Sequence, residues 1–245
     1  TASDSALMLA SMARPDARDG LLGNPHGIDW NAPLPLSLEG WKIAYSPTLG
    51  YVDVAQDIRL RVDEAVALLS RLGADVIEID PGFACPLDTF NTLWFAGATQ
   101  VVEKMTDSQR DQMDPGLLDI AERGSNISLS QYLAARRERT ALCAHMQSFH
   151  EQWDLLVTPT LPISPFAAGH NVPPGEKYTD WMHWTPFSYP FNLTQQPAAS
   201  LPCGLDDNGL PVGLHLVGGK FQDMKVMHAA MLLEEMLPGL VYPRP

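Results

Sequence analysis

Apolar positions recur at helical spacing in some stretches of this chain and gather into short runs in others. Residues 3–12 read as a short helix, and Thr1-Ala2-Ser3-Asp4 has the form of a capping box ahead of Leu7, Met8 and Leu9. Pro15 ends it, and residues 15–40, rich in Pro, Gly and Asp without an apolar period, predict an irregular surface strap. Trp41-Lys42-Ile43-Ala44-Tyr45 then reads as a strand. Residues 54–72 carry Ile58, Val62, Ala65, Val66 and Leu69 at helical spacing, with Gly73 as the stop. Asp75-Val76-Ile77-Glu78-Ile79 reads as a second strand. Strand, long helix and strand in this order form a βαβ unit, which requires parallel pairing and a right-handed crossover.

Residues 86–105 predict a helix with an apolar face through Leu93, Trp94, Ala98 and Val101. The stretch 106–127 is polar and broken, with one short helix at 117–122. Residues 130–153 read as the longest helix, with Ser128 or Ser130 as N-cap. Asp154-Leu155-Leu156-Val157 follows as a strand short enough to be buried. Residues 158–190 hold Pro159, Pro162, Pro165, Pro173, Pro174, Pro186 and Pro190 and show no clear period. A loop that long is unusual in a compact domain, and such loops are often functional. Residues 197–202 and 212–217 read as strands joined by the hairpin turn Asp206-Asp207-Asn208-Gly209, and residues 224–236 close the pattern as an amphipathic helix. The expected architecture is α/β, a mixed twisted sheet with helices on both faces, in a length that allows one large domain or two small ones.

The 245 residues are 45% apolar and 18% charged, with a formal charge of −13. That balance speaks against nucleic acid as a ligand, since neutralising phosphates takes clustered Lys and Arg. The one basic cluster, Arg136-Arg137-Glu138-Arg139, reads as a solvated helix face. Cys85, Cys143 and Cys203 are too scattered for a disulfide framework or a CxxC metal pair, which predicts a reducing, cytoplasmic setting. No apolar run reaches the ~18 residues of a membrane span, and neither a signal peptide nor a membrane partner is expected. The chain opens at Thr1 inside a helical pattern, which fits a processed protein or a piece cut from a longer one.

Tests for chemistry come up empty. Gly213, Gly218 and Gly219 match neither a dinucleotide fingerprint nor a P-loop. His145 and His150, five apart, fall on different helix faces, and His170, His183, His215 and His228 are scattered, so no metal site is assigned. The nucleophile-elbow pattern G-x-S-x-G is absent. Cys203 is the one plausible thiol nucleophile, with His215 across the hairpin as its base, but its strand-end place between Pro202 and Gly204 favours a small buried structural thiol. Adjacent acids such as Asp206 with Asp207, or Glu234 with Glu235, point apart. No catalytic residue and no cofactor follow from the residues alone.

A longer pattern does carry information. The segment Thr185-Pro-Phe-Ser-Tyr-Pro-Phe-Asn-Leu-Thr-Gln-Gln-Pro-Ala-Ala-Ser-Leu-Pro-Cys-Gly204, with its continuation Gly209-Leu-Pro-Val-Gly-Leu-His-Leu-Val-Gly218, resembles the amidase-signature family. Supporting matches are Asp154-Leu-Leu-Val-Thr-Pro-Thr160, Ala2-Ser-Asp-Ser-Ala-Leu-Met-Leu9 and Leu38-Glu-Gly-Trp-Lys-Ile-Ala-Tyr-Ser46, all in family order along essentially the whole chain. The resemblance implies that residues 1–245 are the C-terminal portion of a single domain, an α/β/α sandwich. It also implies an enzyme that cleaves carboxylic amides through a Ser–Ser–Lys triad held in a Gly/Ser-rich stretch. That stretch does not occur here, and Lys42, Lys104, Lys177, Lys220 and Lys225 match none of the triad positions. The expectation is therefore a chain without catalytic residues, whose partners are a small amide substrate and the missing N-terminal half of the same enzyme. Truncation would uncover sheet and cleft wall, a surface that favours a homodimer.

In the family this half walls the substrate cleft. The candidates for substrate binding are Trp94, Thr185, Phe187, Tyr189, Asn192, Gln195 and Gln196. Phe187, Tyr189 and Phe191 read equally well as core, and Asn192 and Gln196 as groups that hydrogen-bond the loop backbone. One rival inside the family is the glutaminase subunit of the tRNA-dependent amidotransferase, whose members commonly carry an acidic residue where Thr185 stands. Arg139 would be its carboxylate anchor, unless it simply faces solvent. A second rival is a non-catalytic binding or assembly module on the same fold.

Overall fold

A computed structural model describes residues 1–14, 16, 18, 28–30, 32, 36–175 and 177–237. Its elements are α1 (Ala2–Met12), β1 (Lys42–Tyr45), α2 (Gln56–Arg71), β2 (Asp75–Glu78), α3 (Leu87–Glu103), α4 (Asp107–Arg110), α5 (Pro115–Ser125), α6 (Leu129–Phe149), β3 (Leu155–Pro159), a 3-10 helix (Trp181–Trp184), α7 (Tyr189–Thr194), β4 (Ala198–Leu205), β5 (Pro211–Gly218) and α8 (Asp223–Met236). Thr1 caps α1 in the expected box with Asp4, and Gly73 leaves α2 at φ +98°, a conformation that residues with a Cβ rarely adopt. Pro15 and most of the strap at 15–40 fall outside the described residues.

The strands form one mixed sheet in the order β2-β1-β3-β5-β4. β1 runs parallel to β2 and to β3, whereas β5 runs antiparallel to β3 and β4. The parallel β1–β2 pair is the βαβ unit read from the sequence. Side chains alternate across the sheet. Ile43, Tyr45, Leu155, Val157, Leu214 and Leu216 face a core closed by α1, α2 and α8. Ala44, Leu156 and Val217 face the other way, onto Met146 of α6 and Phe191 of α7. Helices therefore cover both faces, and the α/β expectation holds. At about 1.5–3 kcal/mol per fully buried aliphatic side chain, these two layers supply the main drive to fold.

A third cluster lies beside the sheet, where α3 and α5 pack through Phe95, Ala98, Val102, Ile120 and Ala121. Here the reading of 106–127 as broken, with a helix only at 117–122, needs correction. Thr106 and Gln109 form a capping box for α4, and the Asp114 carboxylate accepts from the amides of Gly116 and Leu117 to start α5 at Pro115. The caps were legible, and only the weak apolar period hid the helices. Other differences are of extent. Ser128 is the N-cap of α6, which stops at Phe149 rather than 153, and β3 runs on to Pro159. The segment at 189–194 is helical despite Pro190, which sits in the first turn, where its missing N–H costs nothing. β4 continues to Leu205 across a bulge between Pro202 and Gly204.

Gly124 sets how closely α3 and α5 approach. A Cβ there would stand 2.2 Å from the Phe95 carbonyl oxygen and 2.3 Å from Thr99 Oγ1. Thr99 Oγ1 also donates to the Ala121 carbonyl at 2.7 Å, stapling the two helices. Gly124→Ala gains helix propensity but forces the pair apart. We expect a net loss of about 1–3 kcal/mol, as in other overpacked sites, read as a lower urea midpoint with unchanged m.

Candidate active-site crevice

In α/β folds, ligands settle outside the carboxyl ends of the parallel strands. In this chain three loops meet there, following β1, β2 and β3. They enclose a crevice of about 220 Å³ lined by Tyr51, Val52, Asp53, Cys85, Leu87, Pro162, Lys177, Tyr178, His183, Pro186 and Tyr189. Hydrogen bonds lock the loops together. Ser46, at the end of β1, donates to Asp80 beyond β2 at 2.6 Å and accepts from the Leu49 amide. The Ala55 amide donates to the Pro162 carbonyl, and His145 Nε2 of α6 bonds the Pro81 carbonyl at 2.6 Å. Lys177 and Asp53 pair across the mouth at 2.7 Å, an exposed contact of small energetic weight.

Tyr189 sits deepest. Its hydroxyl lies 3.2 Å from Cys85 Sγ, and burial first, then this contact, pushes the phenol well above its usual range. Tyr51 is also raised, mainly by burial. Both phenols therefore stay protonated at neutral pH; the Tyr189 hydroxyl meets Cys85, whereas the Tyr51 hydroxyl is buried without a partner among the described residues. Tyr189 packs on Phe90, with ring centroids 5.6 Å apart; Phe90 stacks on Trp94 at 6.2 Å, and Trp94 meets Trp181 edge-on at 4.9 Å. This aromatic track leads from the crevice to a second pocket of about 350 Å³ between α3, α5 and the loop before α7, lined by Trp94, Leu117, Ile120, Trp181 and Trp184 among others. A larger cleft of about 530 Å³, at the amino ends of β1, β2 and β3, is polar, with Lys42, Asp154 and Lys225 in its walls.

The sequence candidates separate accordingly. Trp94 and Tyr189 belong to the two pockets and are joined through Phe90. Thr185 is half-buried beside Pro186, its hydroxyl donating to the Met182 carbonyl at 3.2 Å. Phe187 is 0% exposed and packs under the sheet, so it presents no surface in this arrangement. Asn192 is exposed on α7, and Gln195 ends that helix in the left-handed conformation at φ 56°. Gln196 is fully engaged. Its amide nitrogen donates to the Gly218 carbonyl at 2.8 Å and to His150 Nε2 at 2.9 Å, while its oxygen accepts from Thr194 at 2.6 Å. The sequence reading missed Tyr51, Cys85, Trp181 and Trp184. The Trp-Met-His-Trp run inside the proline-rich stretch was the available signal.

Cys203 and His215 do not face one another. His215 pairs with Ser200, and its ring lies against Phe191 on one side of the sheet, whereas Cys203 packs into the core on the other. Burial pushes the Cys203 thiol up to about 12, which leaves no thiolate to attack with, so its structural reading stands. Arg139 departs from the solvated-face expectation. It is half-buried, and its Nε donates to the Leu193 carbonyl at 2.7 Å, satisfying the end of α7. Among the described residues, no group of three or more His, Cys, Asp or Glu side chains converges as metal ligands would.

Fold and crevice define a mixed-sheet α/β chain with a crevice at its strand ends. A family model described as Amidase matches residues 1–227, and the chain belongs to this amidase family, the one its motifs resemble. It is 28% identical to an acylamidase of Rhodococcus erythropolis over 97% of this chain and 51% of the relative. It is 26% identical to a glutamyl-tRNA(Gln) amidotransferase subunit of Thermosynechococcus vestitus over 97% of this chain and 54% of the relative. The solved structure of 6-aminohexanoate cyclic dimer hydrolase superposes with a TM-score of 0.83 at 20% identity, over 98% of this chain and 54% of that one, which shows the shared fold. The chain spans about half the length of the curated relatives it matches.

His215 gives the folded chain a pH dependence. Burial lowers its imidazole from 6.5 to about 4. Between these values the unfolded chain binds the proton and the folded one does not. The contribution is complete above pH 6.5 and is lost as pH falls through 4, by up to about 3 kcal/mol. Urea titrations at pH 7 and pH 4 should show this acid loss in the wild type and correspondingly less of it in His215→Leu.

Proposed function

We propose that the protein containing this chain hydrolyses carboxylic amides to an acid and ammonia or an amine, with the chain as its C-terminal portion and the crevice as part of the substrate cleft. The observation that carries this reading is the family match along residues 1–227 of a chain whose strand-end loops converge on one crevice. Amide cleavage of this type needs a hydroxyl nucleophile activated by a base, donors aimed at the developing oxyanion and a proton for the departing nitrogen. The chain's lysines do not meet the first requirement. Lys225 binds Asp154 at 2.5 Å and Lys177 binds Asp53, and among the described residues no lysine ammonium hydrogen-bonds a serine. The Ser–Ser–Lys triad is accordingly assigned to sequence outside this chain, and the chain's contribution is to wall the cleft, with Tyr189 and Trp94 as its substrate-facing groups.

A general amidase is favoured over a glutaminase subunit by one position. Thr185 offers no negative charge to a substrate ammonium, and its hydroxyl is engaged with Met182. The apolar surface left open in this chain, including Leu7, Met8 and Met12 on α1 and Ile77 on the edge strand β2, is where the other portion of the enzyme or a second copy would pack.

Ammonia release from benzamide tests the reading. We expect turnover from the full-length protein and none from residues 1–245 alone. Turnover by the isolated chain that survives a contaminant control overturns the assignment of the triad, and ammonia release from glutamine rather than benzamide by the full-length protein reverses the choice between the two enzymes.

A further inference from the structure

One hydroxyl in the crevice wall has no partner. Of the buried side-chain atoms that lack a hydrogen bond among the described residues, Tyr51 Oη alone borders the strand-end crevice. Native proteins leave few such groups, because a buried donor stripped of water gives up its bonds and gains none in exchange. Phenylalanine would fill the same ring space, against Phe83 at a centroid distance of 6.2 Å, without that cost. The hydroxyl therefore has a use that the free chain does not display.

The backbone that carries Tyr51 is held in an uncommon shape. Leu49 stands at φ 51° and Gly50 at φ 80°, and a left-handed leucine is rare. Ser46 accepts from the Leu49 amide, and the Leu49 side chain is sealed in the core at 1% exposure. The amides of Tyr51 and Val52 both donate to the Thr48 carbonyl, at 3.0 and 2.7 Å. Backbone of this kind persists where surrounding contacts over-determine it, and it gathers at ligand sites. The loop is thus shaped, and the hydroxyl dehydrated, before any ligand enters. The surroundings select the acceptor. Cys85 adds to the rise of the Tyr51 phenol, but its sulfur is bonded to Tyr189, at 3.2 Å. At the mouth Asp53 and Lys177 pair with each other, so the lining offers no unpaired carboxylate or ammonium to a charged ligand. A neutral phenol donor in such a place matches an uncharged oxygen. Ammonia, the group that leaves a primary amide, carries none, which puts the acceptor on the acyl side.

We infer that the Tyr51 hydroxyl donates a hydrogen bond to an uncharged oxygen, of ether or carbonyl type, in the acyl chain of the amide, and so selects acyl groups that carry one. The inference rests on the hydrolase reading above and narrows its substrate class. Because the hydroxyl is dehydrated in advance, the bond is gained on binding and acts on KM rather than on kcat. Tyr51 is a substrate-binding residue of this chain, whereas the bond-breaking groups lie elsewhere.

The test compares the full-length wild type with Tyr51→Phe on two pairs of amides, methoxyacetamide with butyramide and β-methoxypropionamide with valeramide. Within each pair an ether oxygen replaces one methylene. The kcat/KM ratio, ether over hydrocarbon, should fall about tenfold in Tyr51→Phe for one pair or both, the worth of a single neutral hydrogen bond, with the change carried by KM. Ratios that stay put, or a fall carried by kcat alone, overturn the assignment. Urea unfolding is the second readout. The midpoint of ligand-free Tyr51→Phe should match or exceed that of the wild type, since the change removes an unpaired polar atom. A lower midpoint, or a variant that does not fold, shows the hydroxyl to be bonded within the protein and also overturns the assignment. Ketones of the same shapes separate this inference from the hydrolase reading: methoxyacetone with methyl propyl ketone, and methoxyethyl methyl ketone with butyl methyl ketone, their binding followed by NMR titration. A preference for the ether ketone that Tyr51→Phe abolishes, in a protein that cleaves no amide, supports the Tyr51 contact and sinks the hydrolase reading. Amide cleavage with unmoved ratios does the reverse.

Discussion

Strand β3 is the element on which the rest of this molecule depends. All five of its residues are buried, and its backbone pairs in parallel with β1 on one side and antiparallel with β5 on the other. A strand covered on both faces has no polar side to offer solvent, which is why Leu155-Leu156-Val157 is uninterrupted hydrocarbon. Because β3 joins the βαβ unit to the antiparallel hairpin, it also places the long loop that follows it beside the loops that follow β1 and β2. The crevice is a consequence of that junction.

Around the junction, irregular backbone is held by side chains that satisfy its polar groups. Gln196 bridges the ends of α6, α7 and β5 through His150, Thr194 and Gly218. His150 Nδ1 bonds the Trp153 carbonyl at 3.0 Å, so that nitrogen carries the proton and Nε2 accepts from the Gln196 amide. Burial, the leading influence, keeps His150 below the usual imidazole range and preserves this arrangement. Arg139 closes the carboxyl end of α7, and Arg123 ties the loop at Asp180 to α5. These bonds let a proline-rich stretch stand as a fixed wall, which is what a preorganised binding site needs.

The contrast between the two candidate thiol and imidazole groups shows the same physics from the other side. Cys203 and His215 are both buried, and burial moves each toward its neutral form, the thiol upward and the imidazole downward. Neutral, separated by the sheet and without a charged partner, they serve packing. The aromatic side chains Tyr189, Phe90, Trp94 and Trp181 pack in series, with open space at the two ends, beside Tyr189 and beside Trp94 and Trp181. That combination of contact and vacancy separates a candidate binding surface from core.

The sequence by itself determined the order and kind of most elements: the capped first helix, the βαβ unit, the hairpin at Asp206–Gly209 and the family motif in which Tyr189 and Gln196 stand. Those features rest on local rules, namely period, caps and turn chemistry, which neighbouring residues express directly. It did not reveal the helices at 107–110 and 189–194, nor the full extent of the one at 115–125, whose apolar positions are too few to show a period. Only the tertiary structure decided that Phe187 is core while Tyr189 borders the crevice, and that Arg139 turns inward to a carbonyl while its neighbours Arg136 and Arg137 face solvent. It also brought Trp94, Leu117 and Trp181 to one pocket. The physical reason is that burial and approach depend on which surfaces the sheet and helices bring together, a long-range quantity that adjacent residues do not encode.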